Sequence, residues 1–186
     1  MRKLLAVLFA VVFLSGCSGE DQSLDKAMSM RARLLDSQGC SFRAVITADY
    51  GDELYEFVMQ CSTDSEGALS FTVTSPETIA GITGTISSGE GKLIFDDQAL
   101  VFSLLADGQV TPVSAPWIFI KALRSGYLSA CTKTENGLRL AVDDSYEEDA
   151  LHLDIWTDET EIPIYCEILW QGRRVVSLDI KNFTYV

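Results

Sequence analysis

From Phe42 to Ile180 the apolar residues recur at every second position, in one short run after another. That period of two constrains the fold more than any other feature, because it is the signature of strands with one buried face. Phe42, Ala44, Ile46 and Ala48 alternate with polar neighbours, Gly51-Asp52 makes a turn, and Tyr55, Phe57, Met59 and Cys61 return. Pairing Tyr50 with Glu53 sets Phe42 opposite Cys61 and Ile46 opposite Phe57, so every apolar side chain of the hairpin shares one side. Leu69, Phe71 and Val73 continue the pattern until Pro76. The glycine-rich stretch 79–91 reads as two bent edge strands, since no Gly-Lys-Ser/Thr closes it as a phosphate loop. Lys92–Phe95 and Ala99–Leu105 flank an Asp96-Asp97 turn. Beyond Asn136-Gly137, a strong tight-turn signal, come runs on Leu138–Val142, Leu151–Ile155, Ile162–Ile168 and Val176–Ile180. Turns fall at 143–149, 158–161 and 171–173, giving roughly nine to eleven strands in up-and-down order.

Two segments follow the helical period instead. Leu24, Ala27, Met28, Arg31, Leu34 and Leu35 make an amphipathic helix from Ser23, with Gly39 just past its end. Ser114 is placed to cap a second helix from Ala115 to about Tyr127, with Pro116 in its first turn. Trp117, Ile118, Phe119, Ile120 and Leu123 make that helix apolar nearly all round, so it is buried or covers something apolar. The fold class is therefore mainly β (α+β): a curved antiparallel sheet or open barrel covered by an N-terminal helix and a helical insertion.

The first residues carry an address. Arg2-Lys3, the apolar run Leu4–Leu14 and the small residues before Cys17 make a secretory signal, too short for a membrane span of about 20 residues. Leu14-Ser15-Gly16-Cys17 resembles the bacterial lipobox. That likeness implies cleavage after residue 16, diacylation of Cys17, a lipidated tether over 17–22 and a single domain over 23–186. The expected location is extracytoplasmic, lipid-anchored to the membrane of the cell envelope.

Charge narrows the partners. The chain of 186 residues carries 14 basic against 27 acidic side chains, a net of −13. Removing Arg2 and Lys3 with the signal leaves 12 bases against the same 27 acids, or −15. Nucleic acid is disfavoured, because phosphate contacts need Lys and Arg, and so are anionic headgroups. Apart from Cys17 the cysteines are Cys40, Cys61, Cys131 and Cys166. Export permits disulfides, and the strand pattern favours Cys40–Cys61 and Cys131–Cys166; four free thiols are the alternative. No Cys-x-x-Cys or Cys/His cluster points to a metal, and no cofactor is expected.

An enzyme is not expected. The single histidine, His152, alternates with Leu151 and Leu153 and faces outward, and no G-x-S-x-G elbow accompanies it. The acidic run 143–149 lacks the spacing and central glycine of a calcium loop, and reads as a solvated turn.

Thr74-Ser75-Pro76, Ile79-Ala80-Gly81-Ile82, the glycine-rich hairpin, Ile162-Pro163-Ile164-Tyr165, Arg174-Val175-Val176 and Ile180-Lys181-Asn182-Phe183 together resemble the lipoprotein-carrier family, the LolA/LolB-like superfamily. In size and lipobox the chain also resembles that family's branch of Gram-positive germination lipoproteins, typified by GerS. The resemblance implies a strongly curved antiparallel half-barrel sheet, covered by the N-terminal helix and the helical insertion, that holds an acyl chain, or grips a protein, on its concave side. The side chains expected to line that side are Phe42, Ile46, Phe57, Met59, Phe71, Trp117 and Phe119. Two functions follow as expectations. One is a non-enzymatic binder of an acyl chain or lipidated protein. The other is an adaptor that docks an envelope, wall-modifying or spore-germination protein as a monomer or homodimer.

Overall fold

A computed structural model describes residues 18–186 except 89, 96–97, 104, 107–108 and 148–149. The expected signal peptide and the Cys17 lipidation site lie outside the described residues.

Helix α1 spans Ser18–Asp36, so it begins within the segment expected to be a tether. Its buried positions are Ser23, Ala27, Met30 and Leu34, while Leu24, Met28 and Leu35 are exposed. The apolar face is thus rotated from the one the sequence spacing marks. Ser23 lies within the helix, not at its start.

The strands are β1 (Cys40–Asp49), β2 (Leu54–Thr63), β3 (Leu69–Ser75), β4 (Thr83–Ser87), β5 (Glu90–Phe95), β6 (Gln98–Ser103), β7 (Leu105–Ala106), β8 (Gln109–Val110), β9 (Tyr127–Thr134), β10 (Gly137–Asp143), β11 (His152–Thr157), β12 (Pro163–Trp170) and β13 (Arg173–Tyr185). Eleven form one antiparallel sheet in the order β6-β5-β4-β3-β2-β1-β13-β12-β11-β10-β9, and β7–β8 form a separate ribbon. The β1–β2 register is the expected one, with Phe42 opposite Cys61 and Ile46 opposite Phe57, and the Tyr50 amide donates to the Glu53 carbonyl at 3.0 Å.

Two meanders, β1–β6 and β9–β13, are joined only where β1 pairs with β13. The first and last strands therefore stand at the centre, and the open edges are β6 and β9. The glycine-rich hairpin is consequently interior, not an edge. Its Gly84 faces Phe71, and a Cβ there would meet the ring at 2.5 Å, so the glycine makes room for the aromatic side chain.

Because β6 and β9 are consecutive among the strands of the large sheet and stand at its two edges, the chain must cross its open side between them. A 3₁₀ turn (Pro112–Ser114) and helix α2 (Ala115–Ser125) lie in that crossing. Ser114 is not the expected side-chain cap; it is already helical, and its hydroxyl donates to the Thr111 carbonyl at 2.6 Å. Ala115, Pro116, Ile118, Phe119, Ile120, Ala122 and Leu123 are all buried, which is where the apolar circumference of α2 goes. Fully burying Phe119 alone stabilises the cover by about 2–3 kcal/mol.

One bulge corrects the alternation. Val176, Leu178 and Ile180 face inward, and strict alternation would turn Phe183 out. The β1–β13 register shifts between Ser41 and Arg43, and Asn182 takes φ +55°. The extra residue swings Phe183 back into the core, where it stacks on Phe42 at 5.7 Å.

Candidate functional site

The concave face under α2 is the site that the fold constructs. Six of the seven side chains expected to line it, Phe42, Ile46, Phe57, Met59, Phe71 and Phe119, are buried in one continuous cluster. Phe42 lies at its centre, edge-on to Phe119 at 5.8 Å and stacked on Phe183. Trp117 packs against the same cluster from its partly buried rim. The structure thus places six of the seven residues in one core cluster, with Trp117 packed against it. The void recorded between α1, α2 and the sheet is about 10 Å³, beside Ala27, Met30 and Leu123. That is about the volume of one water probe, and its lining is chiefly apolar.

Wider clefts lie around this packed face. One of about 400 Å³ crosses the polar outer face at Ser62, Ser70 and Thr85. Another of about 420 Å³ lies beside Ser23, Lys133 and Asp158. A third, of about 370 Å³, opens between Trp117, Arg124 and the β4–β5 turn.

The cover is held from the side by a residue that sequence spacing assigned only to a helix face. Arg31 of α1 donates from Nε to the Leu123 carbonyl at 2.8 Å, and from Nη2 to the Gly126 carbonyl at 2.8 Å and the Ala122 carbonyl at 3.3 Å. The Ala122 carbonyl also accepts the Gly126 amide at 2.9 Å, whereas the Leu123 carbonyl is of the kind that a helix C-terminus leaves without an intrahelical partner, and a cation there also complements the dipole. Burial draws the Arg31 guanidinium below its ordinary value, as expected for a charge partly withdrawn from water.

The expected disulfides are corrected. Cys40, Cys61, Cys131 and Cys166 are free thiols in this structure. Cys131 faces Leu140, Leu140 faces Ile155 and Ile155 faces Cys166, so that pair is separated by three ladder steps, about 14 Å. The Cys131 thiol instead donates to the Ser23 carbonyl of α1 at 3.1 Å. Cys40 and Cys61 are diagonal across β1 and β2, where Cα atoms stand about 7–8 Å apart, beyond ordinary disulfide reach. A bulge in that pair would be needed to close the gap, but the β1–β2 ladder runs without a shift from Ser41 to Asp49. The Cys40 thiol and amide both meet Thr63 Oγ1, at 3.3 and 3.0 Å. Burial pushes the Cys61 thiol far up, and Cys166 likewise, its neighbours Asp154 and Glu167 adding to the effect.

His152 does find a carboxylate: its Nδ1 lies 2.7 Å from Asp143 Oδ1. Its other nitrogen lies 3.7 Å from Asp154 Oδ1, and Asp154 is itself held by a bidentate pair with Arg139 at 3.1 and 2.7 Å. Both ring nitrogens therefore face carboxylates, one of them the buried Asp154, where a nucleophile's hydroxyl would have to stand for a triad. In the acidic turn, Asp144 accepts the Leu151 amide at 2.8 Å and pairs with Lys121 at 3.7 Å. That carboxylate serves the turn and α2.

No protein-family model matches the sequence, and no curated protein does. Solved structures do. The chain is similar to a putative outer membrane lipoprotein-sorting protein domain from Vibrio parahaemolyticus, with 10% identity over 89% of this chain and 92% of that one, at TM-score 0.49. It is also similar to the LolA superfamily protein NE2245 from Nitrosomonas europaea, with 11% identity over 86% and 93%, at TM-score 0.46. A third likeness is to the Pseudomonas aeruginosa MucA/MucB complex, with 14% identity over 86% and 56%, at TM-score 0.39. Each is a likeness of overall shape. The architecture itself rests on the strand order and the crossing helix described above, and the site rests on the residues.

Proposed function

We propose that this chain is a non-enzymatic, extracytoplasmic lipoprotein, anchored through Cys17, that binds an apolar ligand on the concave face of its sheet. The ligand is an acyl chain or a lipid-modified protein. The observation that supports this reading is the crossing between the two open edges: α2 is a short helix, apolar on nearly every side, laid over the apolar face. With α2 in place, that face is filled, so a ligand takes the space of α2 side chains such as Phe119 by displacing the helix. The Arg31 contacts are three hydrogen bonds to its last turn, which hold the closed form without a covalent link. Mass spectrometry of lipid extracted from the purified protein tests the reading, with photoactivatable fatty acid as a second probe. Cross-links at Phe42, Met59 or Phe119 are expected; an absence of both co-purified lipid and cross-links would overturn it.

A second reading, an adaptor for an envelope, wall-modifying or germination protein as in the germination-lipoprotein branch, is favoured by the β6 edge. Leu100 and Val101 are 63% and 66% exposed on opposite faces of that strand, and the strand from Gln98 to Ser103 carries no charge or proline. Such an edge is a template for strand addition. Co-purification of a partner with the membrane-extracted protein, lost when Val101 is made Lys, separates this reading from the first.

A further inference from the structure

At the end of the sheet where the β2–β3 and β4–β5 turns meet α2, the cleft of about 370 Å³ has two walls of different chemistry. Trp117 and Leu35 supply an apolar wall. Lys121, Arg124 and Ser125 of α2, with Ser87 and Ser88 of the β4–β5 turn, supply a donor-rich one. Trp117, Lys121 and Arg124 are spaced i, i+4, i+7, so α2 presents them as one stripe along the cleft while its other faces are buried. A cluster of this kind stands out in a chain whose net charge is −13.

The cations are not equivalent. Lys121 lies 5.7 Å over the Trp117 ring and 3.7 Å from Asp144, so its ammonium is shared between that carboxylate and the cleft it lines. Glu66 also shares the lining. Arg124 makes no ion pair among the described residues. Its Nη2 donates to the Ser65 carbonyl at 2.8 Å, and its Nε lies over Gly67, where a Cβ would come within 2.9 Å. Its Nη1 is buried with no hydrogen-bond partner among the described residues. The residue is only partly buried, but an unmet donor at a covered atom still has a cost, relieved by an acceptor that enters the cleft.

We propose that this cleft receives the phosphate group of a phosphate-bearing amphiphile, whose chain runs along Trp117 and Leu35 toward the buried side of α2. The chain's destination rests on the apolar-ligand reading above; the phosphate position rests on the cleft itself. A guanidinium, an ammonium and three hydroxyls are more donors than the two oxygens of a carboxylate use, and they suit the three free oxygens of a phosphate monoester.

The full chain in a non-ionic detergent is titrated with hexyl phosphate, inorganic phosphate and hexanol. Binding is followed by phosphorus line width for the phosphates and by saturation-transfer NMR for the alkyl protons. Hexyl phosphate is expected to bind at least tenfold more tightly than either of the others. That affinity falls at least tenfold in Lys121→Met and in Arg124→Gln, and returns in part in Arg124→Lys. Should Arg124→Gln fail to fold after losing its Ser65 contact, Lys121→Met decides the matter alone. Inorganic phosphate binding as tightly as hexyl phosphate overturns the amphiphile. Hexanol binding equally well overturns the phosphate contact and leaves the apolar-ligand reading standing. Failure of hexyl phosphate to bind, while acyl cross-links to the concave face persist, overturns this inference alone.

Discussion

The Arg31 guanidinium holds the Leu123 carbonyl at 2.8 Å, so one side chain of the N-terminal helix secures the end of the helix that covers the sheet. Replacing Arg31 by Met leaves the Leu123 and Gly126 carbonyls to water or to no partner. We expect a loss of about 2 kcal/mol in urea unfolding, from hydrogen bonds to a charged donor. Amide exchange across 115–125 should accelerate more than exchange in β1 or β13, because the helix is released before the sheet. Exchange that stays uniform across both regions would show that the contact does not hold the cover.

Alkaline pH should destabilise the fold through its thiols. Burial raises Cys40, Cys61 and Cys166 in the folded protein, whereas unfolded thiols ionise near about pH 8.5. The stability these neutral thiols contribute is complete below that pH. Above it the unfolded chain sheds its thiol protons first, so stability falls, by roughly 1.4 kcal/mol per pH unit for each buried thiol. Unfolding midpoints measured between pH 8 and pH 10 should follow that slope, and Cys166→Ala should flatten it by about one thiol's share. A midpoint independent of pH in that window would contradict the burial of these groups.

Alkylation offers a separate reading of the same residues. Cys131 is partly exposed and donates to the Ser23 carbonyl, while Cys40, Cys61 and Cys166 are buried. Iodoacetamide on the native protein should therefore label Cys131 first, and peptide mapping should find the other three labelled only in denaturant.

Phe183→Ala should cost about 3–4 kcal/mol, as expected for an aromatic side chain removed from a packed core. Asn182→Gly should cost little, because glycine adopts the positive φ at the bulge without strain, whereas Asn182→Val should be clearly destabilising. Thermal unfolding of the three variants ranks them. An order in which valine is tolerated would remove the bulge as the cause of the Phe183 position.

Much of the sheet was legible because strand pairing within a hairpin is local. The Phe42–Cys61 register follows from the Gly51-Asp52 turn and one apolar face, and both are present within about twenty residues of chain. What lies beyond hairpin range was not legible. Alternation says nothing about β1 meeting β13, so the interior place of the glycine-rich hairpin and the edge position of β6 were hidden. Phe183 falls out of phase by the single residue of its bulge. The cysteine pairs failed for the same reason, since shared inward facing does not fix how many strands lie between. In the candidate site, the seven apolar residues were readable as a group from their facing. Arg31 and Arg124 were not, because a basic residue on a helix looks like surface until the neighbouring helix end or turn is known.

The pairing of β1 with β13 also sets a schedule for biosynthesis. Cys40 lies opposite Tyr185, so the ladder that joins the two halves needs the last strand of the sheet, about 145 residues further along the chain. Until then the first six strands form a meander whose inner edge, β1, has no partner on that side, and the apolar face that α2 covers is incomplete. Closing so long a loop is slow compared with forming hairpins. A growing chain of this topology therefore passes through a stage with a long strand edge unpaired in its middle, an exposed template for association with other chains until β13 arrives to cover it.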